Sequence, residues 1–294
     1  MAERRPIQLR LVVAAAGYGK TTALRRLFPE PAARWQRECD IGALLGGGLA
    51  ELAAGTGQLV LDGLPPMSEP VEQALLEAVT RLPDGVGVAL SSRCPVGSTA
   101  PAWLSRVAPG QIRPADLGLP VEAITDLLDT EYGLSTPGLA ERVWQLTAGW
   151  PALVRLVAET LVADGVPAGP LLPAVTEPGG LVASYVAAEV LAPLPPEIRS
   201  LLGALAELAP VTPGVCAAIG HPDAGRQIQA LLRTGLLTRV GTDPDTGPGA
   251  VPVIAAVAGH GRPPLGTPTV LRAAAWYRAH GPPRAAACAF RLGG

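Results

Sequence analysis

The residues best suited to chemistry stand together near the start of the chain, in the segment AAAGYGKTT (residues 14–22). Glycines such as Gly17 and Gly19 let backbone N–H groups converge on phosphate oxygens. The amine of Lys20 could reach the β- and γ-phosphates of a nucleotide, with Thr22 beside it, and the hydroxyl of Thr21 could help to hold Mg²⁺. The spacing matches the phosphate-loop pattern G-x-x-x-x-G-K-[ST] except at its first position, which is Ala14.

A phosphate loop needs a strand before it and a helix after it, and both are predicted here. The apolar run Leu9–Val13 predicts a buried strand, and TALRRLF predicts a helix whose positive end would point at the same phosphates. The context therefore favours a phosphate site over an ordinary strand–helix turn with an exposed lysine.

A second carboxylate for the magnesium is offered by Asp62, which ends the apolar run Gln58–Asp62 and could bind the ion through a water. Many ATPases carry another acid at the next position to orient the attacking water, but that position is Gly63. Loss of such a group costs about two to four orders of magnitude in rate. We therefore expect slow hydrolysis or none, assign no catalytic residue, and expect an acid introduced at position 63 to raise hydrolysis.

A third predicted strand, Val86–Leu90, leads into the segment LSSRCP. Arg93 in this segment would lie near the γ-phosphate, where a guanidinium could distinguish ATP from ADP by a bidentate contact. The alternative is a solvated arginine at a strand end. The order of phosphate loop, acidic strand end and Ser-Ser-Arg strand end favours the functional interpretation.

The predicted fold class is α/β. Strands separated by helices, such as the amphipathic segment 70–82, imply a parallel sheet with functional residues at the carboxyl ends of its strands. From Pro120 the pattern becomes helical: Val121, Ile124, Leu127 and Leu128 share one helix face. A longer helix starting near Pro151 places its apolar side at Leu153, Leu156, Val157, Leu161 and Val162.

The rest of the chain is predicted as a linker, two amphipathic helices and a terminal hairpin. The linker is DGVPAGPLLPAVTEPGG (residues 164–180), rich in proline and glycine. The helices lie in PPEIRSLLGALAEL and GRQIQALLRTGLLTRVG, with a short connection, and the second runs into a strand and the turn-rich loop TDPDTGPG. This order indicates a winged-helix-type domain, and an Ala-rich hairpin from Pro268 ends the chain.

Composition excludes several function classes. The net charge is -2 and the pI about 6.0, so no basic field is present that would bind a DNA backbone. Charges, prolines and glycines interrupt every long apolar run, and the N-terminal segment reads as a strand and not as a signal peptide. The scattered cysteines Cys39, Cys94, Cys216 and Cys288 indicate reduced thiols in a cytoplasmic protein.

The segments VVAAAGYGKTT, LVLDG, LSSRCP, LTAGWPALVRLVAETL and LRAAAWYRAHG resemble, in this order, the signal-transduction ATPases with numerous domains (STAND). They look most like the branch found in the maltose-activator type and other large LuxR-type bacterial transcription activators, and in related actinobacterial regulators. The resemblance covers nearly the whole chain; GYGKTT and TAGWPA are its most specific parts, and residues 241–268 match poorly.

The resemblance implies roles for individual residues. Lys20 and Thr21 would bind phosphate and magnesium, Asp62 would bind magnesium, and Arg93 would sense the γ-phosphate. Pro151, in the segment GWP, would pack against the adenine, although proline also suits the first turn of any helix. A histidine that this family often places against the β-phosphate has no counterpart in register, since His260 is displaced.

The resemblance also implies a domain order and a function. We expect a P-loop nucleotide-binding domain at 1–118, a helical lid at 119–178, a winged-helix-type domain at 179–265 and the start of a TPR-like repeat at 266–294. The expected function is an ATP/ADP-binding switch that self-associates when active. It would belong to a larger cytoplasmic transcriptional regulator whose effector and DNA-binding domains lie outside this chain. The alternatives are an interaction scaffold with a degenerate P-loop and a metabolic P-loop kinase.

Overall fold

The computed structural model describes residues 8–30, 32–83, 85–94, 110–205, 208, 210–222, 224–239, 248–263 and 265–293. The chain divides into two compact units, Met1–Leu117 and Gly118–Gly294. The first unit contains a parallel sheet with helices, and the second is mostly helical. The further boundaries predicted inside the second unit stay predictions.

Five parallel strands form the sheet of the first unit, in the order β2-β3-β4-β1-β5. All three predicted strands are present, and the second and third each extend two residues beyond their predicted ends. Two short edge strands were not predicted, because RWQR and QI are too polar or too short to show a strand pattern. The strands are β1 Leu9–Val13, β2 Arg34–Arg37, β3 Gln58–Leu64, β4 Gly87–Ser92 and β5 Gln111–Ile112.

The strand register brings the functional strand ends to one edge of the sheet. β4 lies between β1 and β3, with Val13 opposite Ser92 and Leu61 opposite Leu90. In the same edge region Arg37 of β2 lies opposite Asp62 of β3. In a parallel sheet the carboxyl ends of strands, and the loops that follow them, meet on the same side. The phosphate-type loop and Asp62 therefore share an edge.

Helices cover both faces of this sheet. One face packs Leu11, Leu61 and Leu90 against Leu49 and Leu75, whereas the other carries a smaller cluster. The strands are thus buried on both sides, as their apolar runs predict. The helices of this unit are α1 Lys20–Leu27, α2 Ile41–Ala43, a π-type turn over Leu44–Gly48, α3 Leu49–Ala53, α4 Glu69–Thr80 and α5 Pro114–Leu117.

The second unit consists of helices and one pair of short strands. Its helices are α6 Val121–Tyr132, α7 Leu139–Thr147, α8 Pro151–Asp164, α9 Leu171–Val175, α10 Leu181–Tyr185 with a π-type continuation over Val186–Leu191, α11 Pro196–Leu205, α12 Pro213–Ala218, α13 Ala224–Thr234, α14 Pro252–Gly259, α15 Thr267–His280 and α16 Pro283–Gly293. The strands β6 Leu237–Arg239 and β7 Pro248–Ala250 pair in the antiparallel sense.

Three expectations for the second unit need correction. Val162, expected on the buried side of α8, is 55% exposed, because the buried stripe runs through Val154, Val157, Ala158 and Leu161. The expected linker contains α9, whose Leu171 and Val175 are buried. The expected short connection between two helices contains α12, which the hydroxyl of Thr212 caps by accepting from the Val215 N–H.

In the second half of this unit, three helices, α11 to α13, precede the antiparallel pair β6–β7. The winged-helix-type domain stays a prediction. Most of the predicted loop TDPDTGPG lies outside the described residues. The final hairpin is formed by α15 and α16, and the buried Tyr277 donates its hydroxyl to the Pro210 carbonyl at 2.9 Å.

Candidate functional site

The loop between β1 and α1 has the backbone shape that the phosphate-loop pattern predicts. Gly17 and Gly19 adopt φ angles of 75° and 79°, values that favour glycine. Ala14, at the pattern's first position, is buried and has no positive φ, and its N–H donates to the Ser92 carbonyl at 3.3 Å. The loop therefore requires glycine at residues 17 and 19, whereas alanine is compatible with position 14.

Lys20 begins α1, and its amine lies inside the loop. Its Nζ donates to the carbonyls of Ala14 and Ala15, at 2.8 and 2.9 Å. Burial, and secondarily the positive charge of Arg93, lowers the pKa of Lys20 from 10.5 to about 8, against the opposing charge of Asp62. The amine is thus held inside the loop, at a cost to its charged form.

A signal for Lys20 that motif reading misses lies in the composition. The chain has 23 cationic residues, and Lys20 is its only lysine. The other 22 cationic residues are arginines, so composition singles out Lys20 as well as the motif does. Its ammonium is a compact point charge, whereas a guanidinium is a planar fork.

Thr21 and Asp62 are brought together across the sheet edge. The Thr21 hydroxyl donates to Asp62 Oδ2 at 2.7 Å. Ser91, at the end of β4, donates its hydroxyl to Asp62 Oδ1 and accepts the N–H of Gly63 at 2.9 Å. Sequence reasoning gave Ser91 no role, because only the position of β4 between β1 and β3 places it against Asp62.

The pair Thr21 and Asp62 fits a magnesium ion. Mg²⁺ prefers oxygen ligands, commonly takes one or two groups from the protein, and keeps several waters. A threonine hydroxyl and a carboxylate already within hydrogen-bond distance supply such oxygens. Within the described ranges, this site included, no group of three or more His, Cys, Asp or Glu side chains could hold a metal.

Gly63 cannot be treated as a strand position that has lost its acid. Its φ is 92°, and the pairing of β3 with β4 is irregular between Leu61 and Leu64. An L-residue with a side chain is strained at this φ. Because the backbone there favours glycine, an acid introduced at position 63 would be strained, and its effect on hydrolysis stays untested.

Arg93 follows β4 and is exposed on the same edge. It lies close enough to Lys20 for its charge to lower the pKa of that amine. The next residue, the half-buried Cys94, donates its N–H to Ser92 Oγ at 3.1 Å, and Ser92 in turn donates to the Leu64 carbonyl at 3.1 Å. These two hydrogen bonds fix the strand end that carries Arg93.

Two further loop residues differ in their placement. Thr22 is exposed on α1. Tyr18, which sequence reasoning gave no role, is 3% exposed, and burial raises its pKa above the usual range. A buried aromatic side chain between Gly17 and Gly19 anchors the loop to the unit beneath it.

The GWP segment has a defined local role in the second unit. Gly149 has a φ of 72°, and its carbonyl accepts the Leu119 N–H at 2.7 Å. A Cβ at this position would lie 2.3 Å from the Leu119 carbonyl oxygen. Trp150 is fully buried and Pro151 begins α8. The contact of Pro151 with adenine stays a prediction.

No protein-family model and no curated protein match this chain. Among solved structures, it is similar to a Walker-type ATPase of Pyrococcus abyssi, with 14% identity and a TM-score of 0.52 over 86% of this chain and 91% of that one. It is also similar to a STAND protein with a tetratricopeptide repeat sensor from Pyrococcus horikoshii, with 16% identity and a TM-score of 0.36. That match covers 98% of this chain but 45% of the other, so this chain spans under half of that protein's length.

The TM-score with the STAND protein is too low to support an argument. The similarity to the Walker-type ATPase concerns the fold. It agrees with the parallel sheet and with the loop that follows β1. Within the described residues, no helix is long and apolar enough to cross a membrane. The chain has the α/β fold of P-loop ATPases, followed by helical segments.

Proposed function

We propose that this chain binds ATP and ADP with Mg²⁺ and acts as a nucleotide-dependent switch. The observation that carries the proposal is the placement of Lys20. The only lysine of the chain stands at the start of α1, with its amine in a glycine-shaped loop at the carboxyl end of a buried parallel strand. Such a loop and helix start present N–H groups and a cation to a phosphate.

The neighbouring residues supply the remaining parts of such a site. Thr21 and Asp62 would hold Mg²⁺, which neutralises charge on the terminal phosphates when it is bound. Lys20 would exchange its two carbonyl contacts for phosphate oxygens. Arg93, exposed beside Lys20, would contact the γ-phosphate and so make ATP and ADP different ligands. Only such a difference in affinity can shift a conformational equilibrium.

The biological setting of the switch follows from the sequence resemblance. We infer a nucleotide-binding and oligomerisation module of a signal-responsive bacterial transcriptional regulator, with Pro151 against the adenine and with effector and DNA-binding parts elsewhere. A non-catalytic scaffold is the second candidate. It is favoured by Ala14 at the first position of the loop pattern, by Gly63 in place of an acid, and by the poorly matched segment 241–268.

Nucleotide content of the purified protein tests the proposal. The chain is expressed without added nucleotide and denatured, and the released nucleotides are identified by chromatography. We expect close to one ADP or ATP per wild-type chain and almost none with Lys20→Ala. Arg26→Ala is the matched control, because Arg26 is an exposed cation on the same helix and should leave the content unchanged.

Two outcomes decide between switch and scaffold. Bound nucleotide in wild type and Arg26→Ala, but not in Lys20→Ala, supports the switch. If no variant carries nucleotide, and added Mg-ATP does not raise the thermal midpoint of the wild type, the scaffold is correct. A bound ligand stabilises the folded state by about 2.7 kcal/mol at a hundredfold excess over its Kd, so the midpoint shift is measurable.

A further inference from the structure

The conformation of Glu38, directly after β2, is uncommon for its residue type. Only Glu38 and Ala148 among the described non-glycine residues have a positive φ, at 53° and 52°. Ala148 follows the last turn of α7 and caps it, a common place for this conformation. Glu38 follows a strand instead. Left-handed conformations of non-glycine residues cluster at functional sites, where the surrounding structure holds them in place.

The strand register places Glu38 at the candidate site. Arg37 of β2 lies opposite Asp62 of β3, and neighbouring strands are ~4.8 Å apart. β2 ends at Arg37, so Glu38 begins the loop at the sheet edge that also carries Asp62 and Gly63. Apart from its chain neighbours, no atom of the described residues lies within 4 Å of the point where a Cβ of Gly63 would be. Among the described residues, none fills the position where many ATPases carry the second acid.

The residues on both sides of Glu38 are held in place. Arg37 forms an ion pair with Glu30 and lies over the Trp35 ring, and Cys39 is buried in the core. Burial, and secondarily the charge of Asp62, raises the pKa of the Cys39 thiol to about 11, so this segment is close to the Asp62 carboxylate.

Just beyond Cys39, Asp40 caps α2 by accepting the N–H groups of Gly42 and Ala43, at 2.8 and 3.2 Å. Glu38 itself is exposed. Within the described part of the chain, its carboxylate has no hydrogen bond or ion pair. The segment around Glu38 is therefore fixed, while its carboxylate remains available to a ligand.

We propose that Glu38 supplies from β2 the water-positioning carboxylate that β3 lacks at Gly63. This inference rests on the proposed ATP site. The water oxygen forms a bond to the γ-phosphorus, and the bond from that phosphorus to the β–γ bridging oxygen breaks. The bridging oxygen keeps the electron pair as ADP leaves. The Glu38 carboxylate accepts a water proton and releases it to solvent, giving ADP, inorganic phosphate and a proton.

Single-turnover hydrolysis with labelled ATP tests this role in the full chain. Glu38→Gln should lower the rate at least 100-fold, because a positioned base contributes about 10²–10⁴. The ATP Kd, measured by calorimetry, should change less than threefold, because the carboxylate acts on water and not on the nucleotide. Glu51→Gln is the matched control, since Glu51 is an exposed glutamate on α3, and its rate should equal that of the wild type.

A second variant separates chemistry from backbone strain. Glu38→Gly removes both the carboxylate and the strain of a positive φ, so it should hydrolyse ATP as slowly as Glu38→Gln while unfolding no more easily than the wild type. A wild-type rate in Glu38→Gln overturns the assignment. A wild type that binds ATP without hydrolysing it also overturns the assignment of Glu38, but this result would still agree with the proposed nucleotide switch. If the wild type binds no ATP, the proposed function itself fails.

Discussion

At the scale of the residue, the pKa of the Lys20 amine lies close to neutral pH. Burial and the neighbouring Arg93 lower its pKa to about 8, while Asp62 acts in the opposite direction. Phosphate oxygens would add negative charge beside the amine and raise that pKa. Between the two pKa values, the bound protein holds a proton that the free protein has lost. Nucleotide binding must then take up a proton, and affinity must fall as the pH rises above about 8.

Calorimetry at several pH values measures this linkage. We expect ATP affinity to fall about tenfold between pH 7 and pH 9, with proton uptake shown by titrations in two buffers of different ionisation enthalpy. Arg93→Gln removes the positive charge that lowers the Lys20 pKa, so its proton uptake should shift to higher pH. Affinity that is constant from pH 7 to pH 9, with no proton uptake, would contradict a phosphate contact by Lys20.

At the scale of the element, the carboxyl end of β3 positions two groups, the Asp62 carboxylate and the Gly63 N–H. Asp62 faces the Thr21 and Ser91 hydroxyls, and the next residue, Gly63, turns the strand so that its N–H reaches Ser91 Oγ. A regular strand would continue the ladder to β4 without the irregularity that separates Leu61 from Leu64. The turn at Gly63 fixes Ser91 against Asp62.

Substitutions at Gly63 test this geometry. Gly63→Ala should lower the free energy of unfolding by about 1–2 kcal/mol, the cost of a side chain in a left-handed conformation. Gly63→Asp should be destabilised similarly and should not raise hydrolysis. Gly57→Ala is the control, since Gly57 has no positive φ and no atom within 4 Å of its added Cβ. Denaturant unfolding and phosphate release measure both effects; a stable, faster Gly63→Asp would disprove this account of β3.

At the scale of the whole molecule, the composition gives the candidate site a functional group that no other side chain has. The chain has 22 arginines and one lysine, so Lys20 carries its only ε-amine. A lysine with a pKa of about 8 is largely uncharged at pH 8.5, unlike an ordinary lysine. An amine-directed acylating reagent should therefore modify Lys20 readily.

Protection by nucleotide can be measured on the intact protein. Saturating Mg-ATP should slow acylation of Lys20 at least tenfold, because the bound phosphates raise its pKa and cover it. AMP, which lacks the β- and γ-phosphates, should protect little. Mass spectrometry of the peptide that contains Lys20 gives the rate. Equal rates with and without Mg-ATP at saturation would exclude Lys20 from the nucleotide contact.

Local patterns were sufficient for much of the fold and for part of the site. The apolar runs of β1, β3 and β4 predict buried strands, because a strand covered on both faces needs apolar side chains in succession. The spacing of Gly19, Lys20 and Thr21 predicts the loop, since those residues act within one turn of chain. The amphipathic periods of α4, α6 and α8 predict those helices within one or two residues of their observed starts.

Non-local pairing decided the rest. The strand order placed β4 between β1 and β3, and so brought Ser91 to Asp62 from 29 residues away. The register of β2 against β3 placed Arg37 opposite Asp62 and so brought Glu38 to the same sheet edge, although RWQR shows no strand pattern. The φ angles at Glu38 and Gly63 reflect the strands around them and not their residue types alone. By itself the sequence determined which residues could meet a phosphate, and the tertiary structure decided which residues stand around that place, because contacts between distant strands depend on register.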